Sequence, residues 1–168
     1  MSTPRVLVAG LGNIFLGDDG FGPAVLARLV RMPGSTSVRA VDFGVRLREL
    51  LYALDECEAA ILVDATARGG PPGTLYVLEP GQVTGEVALL DGHSLTAEQV
   101  LRALPPQARP RRIRIVGCEP ETLESAADDM GLSSAVSAAV EAAVPLIERL
   151  VAELLAELTA ATGAAAHA

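Results

Sequence analysis

A chain of 168 residues, half of them apolar, can bury one substantial core and is short for two ordinary domains. Its formal charge of -8 and pI near 4.7 oppose nucleic acid or an anionic membrane as partner, because like charges repel. All 13 cationic side chains are arginine; the lack of lysine excludes a P-loop lysine and any Schiff-base chemistry.

The opening stretch "MSTPRVLVAG" has too short an apolar run before its glycine for the core of a secretory signal, and no segment has the length of a bilayer span. Two cysteines, Cys57 and Cys118, make no disulfide framework, so a cytoplasmic protein is expected. "RVLVAG" reads as a buried parallel strand, and "PAVLARLVRM" as a helix with proline in its first turn. "VRAVDF" reads as the second strand, "RLRELLYAL" as the second helix and "AAILVDA" as the third strand, fully buried. This alternation implies an α/β domain with a mainly parallel sheet.

Beyond "RGGPPG", "TLYVLE" reads as a fourth strand, and the gap before it is too short for a crossover helix, which allows an antiparallel orientation. "DGHS" leads into the helical "LTAEQVLRAL", where Ser94 or Thr96 can cap and Glu98 or Gln99 can reach back. "RIRIVG" is the fifth strand. From Ser133 a long apolar stripe predicts a helix that Pro145 should kink. One domain over residues 1–158 is expected, followed by a disordered alanine-rich tail over 159–168.

In open parallel sheets ligands collect beyond the carboxyl ends of the strands. The predicted ends carry Asp18 and Asp19 (strand one), Asp42 (strand two), Asp64 (strand three), and Cys118 with Glu119 (strand five), and His93 precedes a helix. Singly, each has a plainer role, since strand-end aspartates most often cap the next turn. Together, carboxylates and one imidazole suit an open site for a divalent ion such as zinc, nickel or manganese. The loop "GLGNIFLGDDGFGP" departs from a dinucleotide fingerprint and places two negative charges where a pyrophosphate would approach.

The ordered set "GLGNIFLGDDGFG", "VDA", "DGHS", "GCEPETLE" and "GLSSAV" resembles the hydrogenase maturation proteases, from about Arg5 to Leu150. The resemblance implies a single-domain three-layer α/β/α sandwich with a mainly parallel five-stranded twisted sheet. It implies an endopeptidase that removes a C-terminal extension from a nickel-loaded [NiFe] hydrogenase large-subunit precursor, with the precursor's nickel as recognition element. Asp19, Asp64 and His93 fall on the family's metal-binding positions and Asp42 on a further acidic position, giving Asp19, Asp64, His93 and Asp42 as catalytic candidates. Nickel would arrive with the substrate, and another divalent metal could occupy the free protein. The expected partner is the precursor, with no nucleic acid or membrane, and the state a monomer or homodimer. Val45 and Arg46 depart from the family's usual threonine-containing loop, leaving Arg46 to pair with Asp42 or to meet an acidic substrate tail. Two rivals are a cysteine hydrolase using Cys118, His93 and Asp64, and a non-enzymatic carrier of nickel or nucleotide.

Overall fold

The computed structural model describes residues 4–30, 35–83, 94–108, 110–124 and 131–167. Five strands form one sheet in the order β2-β1-β3-β5-β4: β1 (Val6–Leu11), β2 (Val38–Gly44), β3 (Ala59–Ala65), β4 (Leu75–Leu78) and β5 (Arg112–Cys118). The first three and β5 run parallel, and β4 returns antiparallel along β5, pairing Leu75 with Cys118 and Leu78 with Ile115. The short connection between β3 and β4 cannot hold a crossover helix, which is the physical reason for the reversal.

Alternation of side chains along the strands divides the core into two layers. Val6 and Val8 of β1 and Ile61 and Val63 of β3 pack against α1 (Phe21–Leu29) and α4 (Ser134–Ala165). Leu7, Ala9, Ala60 and Leu62 pack the other way, against α2 (Leu47–Asp55) and α3 (Ala97–Ala103). β1 is buried along its whole length and β3 along all but its last residue, which is why both read as unbroken apolar runs. The three-layer expectation holds.

The β1–α1 junction explains the glycines of the first loop. A side chain at Gly22, in the first turn of α1, would collide with the carbonyl oxygens of Leu11 and Val63, so the helix seats directly on two strand backbones. Gly12 holds a φ of 126°, and a Cβ there would strike the carbonyl of Asp19. The loop between them closes in a 3-10 turn over Gly17–Gly20.

α4 buries Val136, Ala139, Val140, Ala143, Ile147, Leu150, Leu154 and Leu158 along one stripe, starts at the cap Ser133 and contains Pro145. Its end differs from expectation. The expected disordered tail from residue 159 is helical through Ala165, although its side chains are exposed. Alanine has the highest intrinsic helix propensity, so extending an existing helix needs no packing reward. The Thr159 and Thr162 hydroxyls also donate to carbonyls one turn back. Among the described residues, no helix is long and apolar enough to cross a membrane.

Candidate functional site

Because β1, β2, β3 and β5 run parallel, their carboxyl ends share one edge of the sheet, and the acidic residues gather there. The structure then sorts them. Asp18 and Asp19, neighbours in sequence, face different partners.

Asp18 is fully buried and saturated. Its Oδ2 accepts from the Glu121 and Thr122 amides at 2.8 and 3.2 Å and from the Ser133 hydroxyl at 2.9 Å. Its Oδ1 accepts from the Ser133 amide at 2.7 Å. It ties the glycine loop to the chain after β5 and to the start of α4, and no acceptor capacity faces a ligand. Its work is structural.

Asp19 turns the other way. Its Oδ2 accepts from the Asn13 amide and from the Ser94 hydroxyl, both at 2.6 Å. Burial raises its pKa, and these two donors only partly offset that. Asp64, at the end of β3, is 2% exposed and takes one hydrogen bond to Oδ2, from the Ala97 amide at 2.9 Å. Its Oδ1 is buried and without a hydrogen-bond partner among the described residues. Desolvation holds its carboxyl well above the usual aspartate range, and the charge of Asp19 adds to the rise. The two carboxylates are therefore electrostatic neighbours, competing for ionisation in a site that water barely reaches.

An acceptor oxygen buried without a donor is costly unless something else neutralises it. A proton or a cation would do so, and the donor chemistry fits either. Hard carboxylate oxygens suit a divalent ion, with two donors available here. Among the described residues no group of three His, Cys, Asp or Glu side chains stands close enough to hold a metal ion. The third expected donor, His93, lies outside the described residues, as does the rest of "DGH" at 91–93. The segment resumes at Ser94, bonded to Asp19, and reaches α3, whose first amide bonds Asp64.

Asp42 is not brought to this pair. It is exposed, its Oδ1 accepts from the Gly44 amide at 2.9 Å, and it lines a cavity with Pro23 and Ala24 of α1. Arg46 does not pair with its carboxylate. The guanidinium instead donates to the carbonyls of Phe43 and Asp42 and to Glu49, at 3.1, 2.5 and 2.6 Å. Cys118 is fully buried, and burial, with the charges of Asp18 and Glu119 beside it, pushes its thiol up to about 12. A thiol so placed has neither access nor thiolate character, which removes the geometric basis for a cysteine nucleophile.

Two residues named in the sequence take roles there that it did not assign. Ser94 was a candidate cap, but Thr96 and Gln99 form the capping box of α3, which frees the serine for Asp19. Glu119 turns out to be the organiser of the β3–β4 connection, accepting from the Arg68 and Gly69 amides and the Tyr76 hydroxyl at 2.7, 3.1 and 2.9 Å. Burial pushes its pKa up, but these donors prevail and leave it lowered. Glu119 offered only its place at a strand end, and Ser94 only its place before a helix.

The fold and site define an open-sheet α/β protein with a desolvated acidic pair at the carboxyl edge of its strands. Residues 24–150 match the family HycI, hydrogenase maturation protease, and the chain belongs to that family. It is 35% identical over 126 residues to the hydrogenase expression/formation protein HupD of Rhizobium leguminosarum bv. viciae, covering 72% of this chain and 62% of that protein. Against HupD of Rhodobacter capsulatus it is 32% identical over 124 residues, 71% and 59% of the two chains. The match thus spans about three fifths of these curated relatives' length. Among solved structures, the hydrogenase maturating endopeptidase HybD from E. coli superposes with a TM-score of 0.72 at 28% identity, over 89% of this chain and 93% of that one. The hydrogenase 2 maturation peptidase from Thaumarchaeota archaeon SCGC_AB-539-E09 gives 0.64 at 33% identity, over 88% and 97%.

Proposed function

We propose that this chain is a cytoplasmic endopeptidase that removes a C-terminal extension from the nickel-loaded large-subunit precursor of a [NiFe] hydrogenase. The observation that carries the reading is the Asp19–Asp64 pair, two desolvated carboxylates with one oxygen that has no donor among the described residues. Family membership supplies the reaction class. Nickel enters as part of the substrate, and Asp19, Asp64 and His93 are the side chains that would engage it. Metal-free, the pair resists full ionisation, so a precursor without its ion meets a site that has nothing to gain from docking. With the ion present, both carboxylates ionise and the substrate chain is held in register for hydrolysis.

In this reading Asn13 and Ser94 position Asp19, and the start of α3 positions Asp64. The site assembles only when the glycine loop, β3 and the 94–97 segment are all in place. The test is processing followed by intact mass. Wild-type protein should shorten nickel-loaded precursor and spare the metal-free form. Asp19→Asn, Asp64→Asn and His93→Ala should each leave the nickel-loaded precursor full length. Undiminished processing by all three variants ends the assignment, and equal cleavage of metal-free precursor ends the role of nickel. Reversible nickel uptake with no change in precursor mass would make the chain a carrier.

A further inference from the structure

The Asp42 cavity lies outside the acidic pair and has its own chemistry. It has a volume of about 380 Å³ and is lined by Ile14, Pro23, Ala24 and Leu132, by the glycines 17, 20 and 131, and by Asp42. Asp42 is the only charged residue among these. One of its oxygens is committed to the Gly44 amide, and the other has no partner among the described residues. Arg46 is spent elsewhere, bound to two carbonyls and to Glu49. The result is an apolar slot with an available carboxylate at one wall, opening on the same edge of the sheet as Asp19.

Such a slot discriminates by shape and by charge together. An aliphatic stem can lie along Ile14, Pro23, Ala24 and Leu132 while a cationic head reaches the free oxygen of Asp42. An acidic side chain would be repelled, and a short polar one would leave the apolar walls uncovered. From this geometry we infer that the Asp42 cavity is a specificity subsite for an arginine or lysine side chain of the substrate polypeptide. Asp42 is then a binding residue rather than a member of the hydrolytic pair. The glycine loop borders both, since its Gly17 and Gly20 line the slot and its Asp19 belongs to the pair, and a substrate strand crossing that loop engages both. Exposed Ile14 and Phe15, 57% and 56% accessible, extend the apolar surface beside the slot along the same loop.

The inference rests on the endopeptidase reading for the source of the side chain, and its test is binding, independent of cleavage. Blocked pentapeptides carrying arginine, norleucine or glutamate between Gly-Ala flanks are titrated onto the full chain and followed by amide chemical shifts. The arginine peptide should move the amides of Gly17, Gly20 and Ala24 and bind about threefold to tenfold more tightly than the norleucine peptide, the range of a partly desolvated ion pair. Asp42→Asn keeps an acceptor for the Gly44 amide and should equalise the two. Ala24→Leu fills the slot and should weaken both peptides alike. Equal affinity for arginine and norleucine, binding of neither, shifts confined to other regions, or an arginine preference that survives in Asp42→Asn would each overturn the assignment. Precursor processing is read in a separate assay: if it fails while the arginine preference stands, the endopeptidase reading falls and the subsite does not.

Discussion

The two carboxylates at the ends of adjacent strands, Asp64 near the end of β3 and Glu119 just after β5, are similarly buried and oppositely treated. Glu119 takes two amides and a phenol, and its carboxyl ionises more readily than usual. Asp64 takes one amide, keeps an oxygen without a donor among the described residues, and ionises with difficulty. The same contrast separates adjacent Asp18 and Asp19, one satisfied by four donor contacts and one facing Asp64. Burial alone does not mark a working carboxylate. What marks a candidate is burial that the described residues leave uncompensated, because folding then bears a cost that a ligand or a proton would relieve.

The comparison breaks most visibly at Asp64. Asp64→Asn should reduce precursor processing by roughly a hundredfold or more, the scale of losing a group that acts on the reacting centre. Its unfolding midpoint in urea at neutral pH should equal or exceed wild type, since a neutral amide suits the site better than a desolvated charge. A large loss of stability would place Asp64 with Glu119 as a structural anchor. Asp18→Asn should do the reverse. An amide nitrogen must then face an N–H or hydroxyl donor, costing about 2 kcal/mol of unfolding free energy while the folded fraction still cleaves.

The pH dependence of stability sharpens the same contrast. Asp64's folded pKa is raised, so its contribution is whole below the ordinary aspartate value and is lost as pH rises through the raised value. Asp64→Asn should flatten that fall. Glu119's folded pKa is lowered, so its contribution is whole above the ordinary glutamate value and is lost as pH drops through the lowered one. Glu119→Gln should remove that acid-side loss and be less stable at neutral pH. Parallel urea titrations of wild type and both variants between acid and neutral pH would show curves diverging in opposite directions. Parallel curves would refute the distinction.

Ser94→Ala is a smaller perturbation. It removes a donor that lowers the Asp19 pKa, so the acid limb of the processing profile should move to higher pH, with a loss of about threefold to tenfold at neutral pH. An unmoved profile would reduce Ser94 to packing. Smallest of all, Cys118→Ala should leave processing within about twofold, because a buried thiol held near 12 takes no part. Loss of activity in that variant, with the fold intact, would restore the cysteine hydrolase.

Much of the fold was legible because its signals are local. The apolar runs of β1 and β3 announce central parallel strands, and the short gap after "AAILVDA" permits the reversal that β4 makes. The alanine-rich end of α4 was misread because low complexity and high helix propensity look alike in sequence when nothing packs on the segment. At the site, the sequence brought Asp19 and Asp64 to one rim, and the structure joined them. It also grouped Asp42 with them, and the structure sets that residue in a cavity beside α1 that neither Asp19 nor Asp64 lines. His93 lies outside the described residues.

The sequence by itself determined the alternating α/β class with a mainly parallel sheet, the edge where chemistry can occur and the residue types available there, since hydrophobic period and strand ends are properties of short segments. Only the tertiary structure decided which acid does what. Asp18 meets Ser133 across 115 positions and Asp19 meets Ser94 across 75, so the division of labour between two adjacent aspartates depends on donors delivered by distant segments. A carboxylate's ionisation follows from how many of those donors reach it.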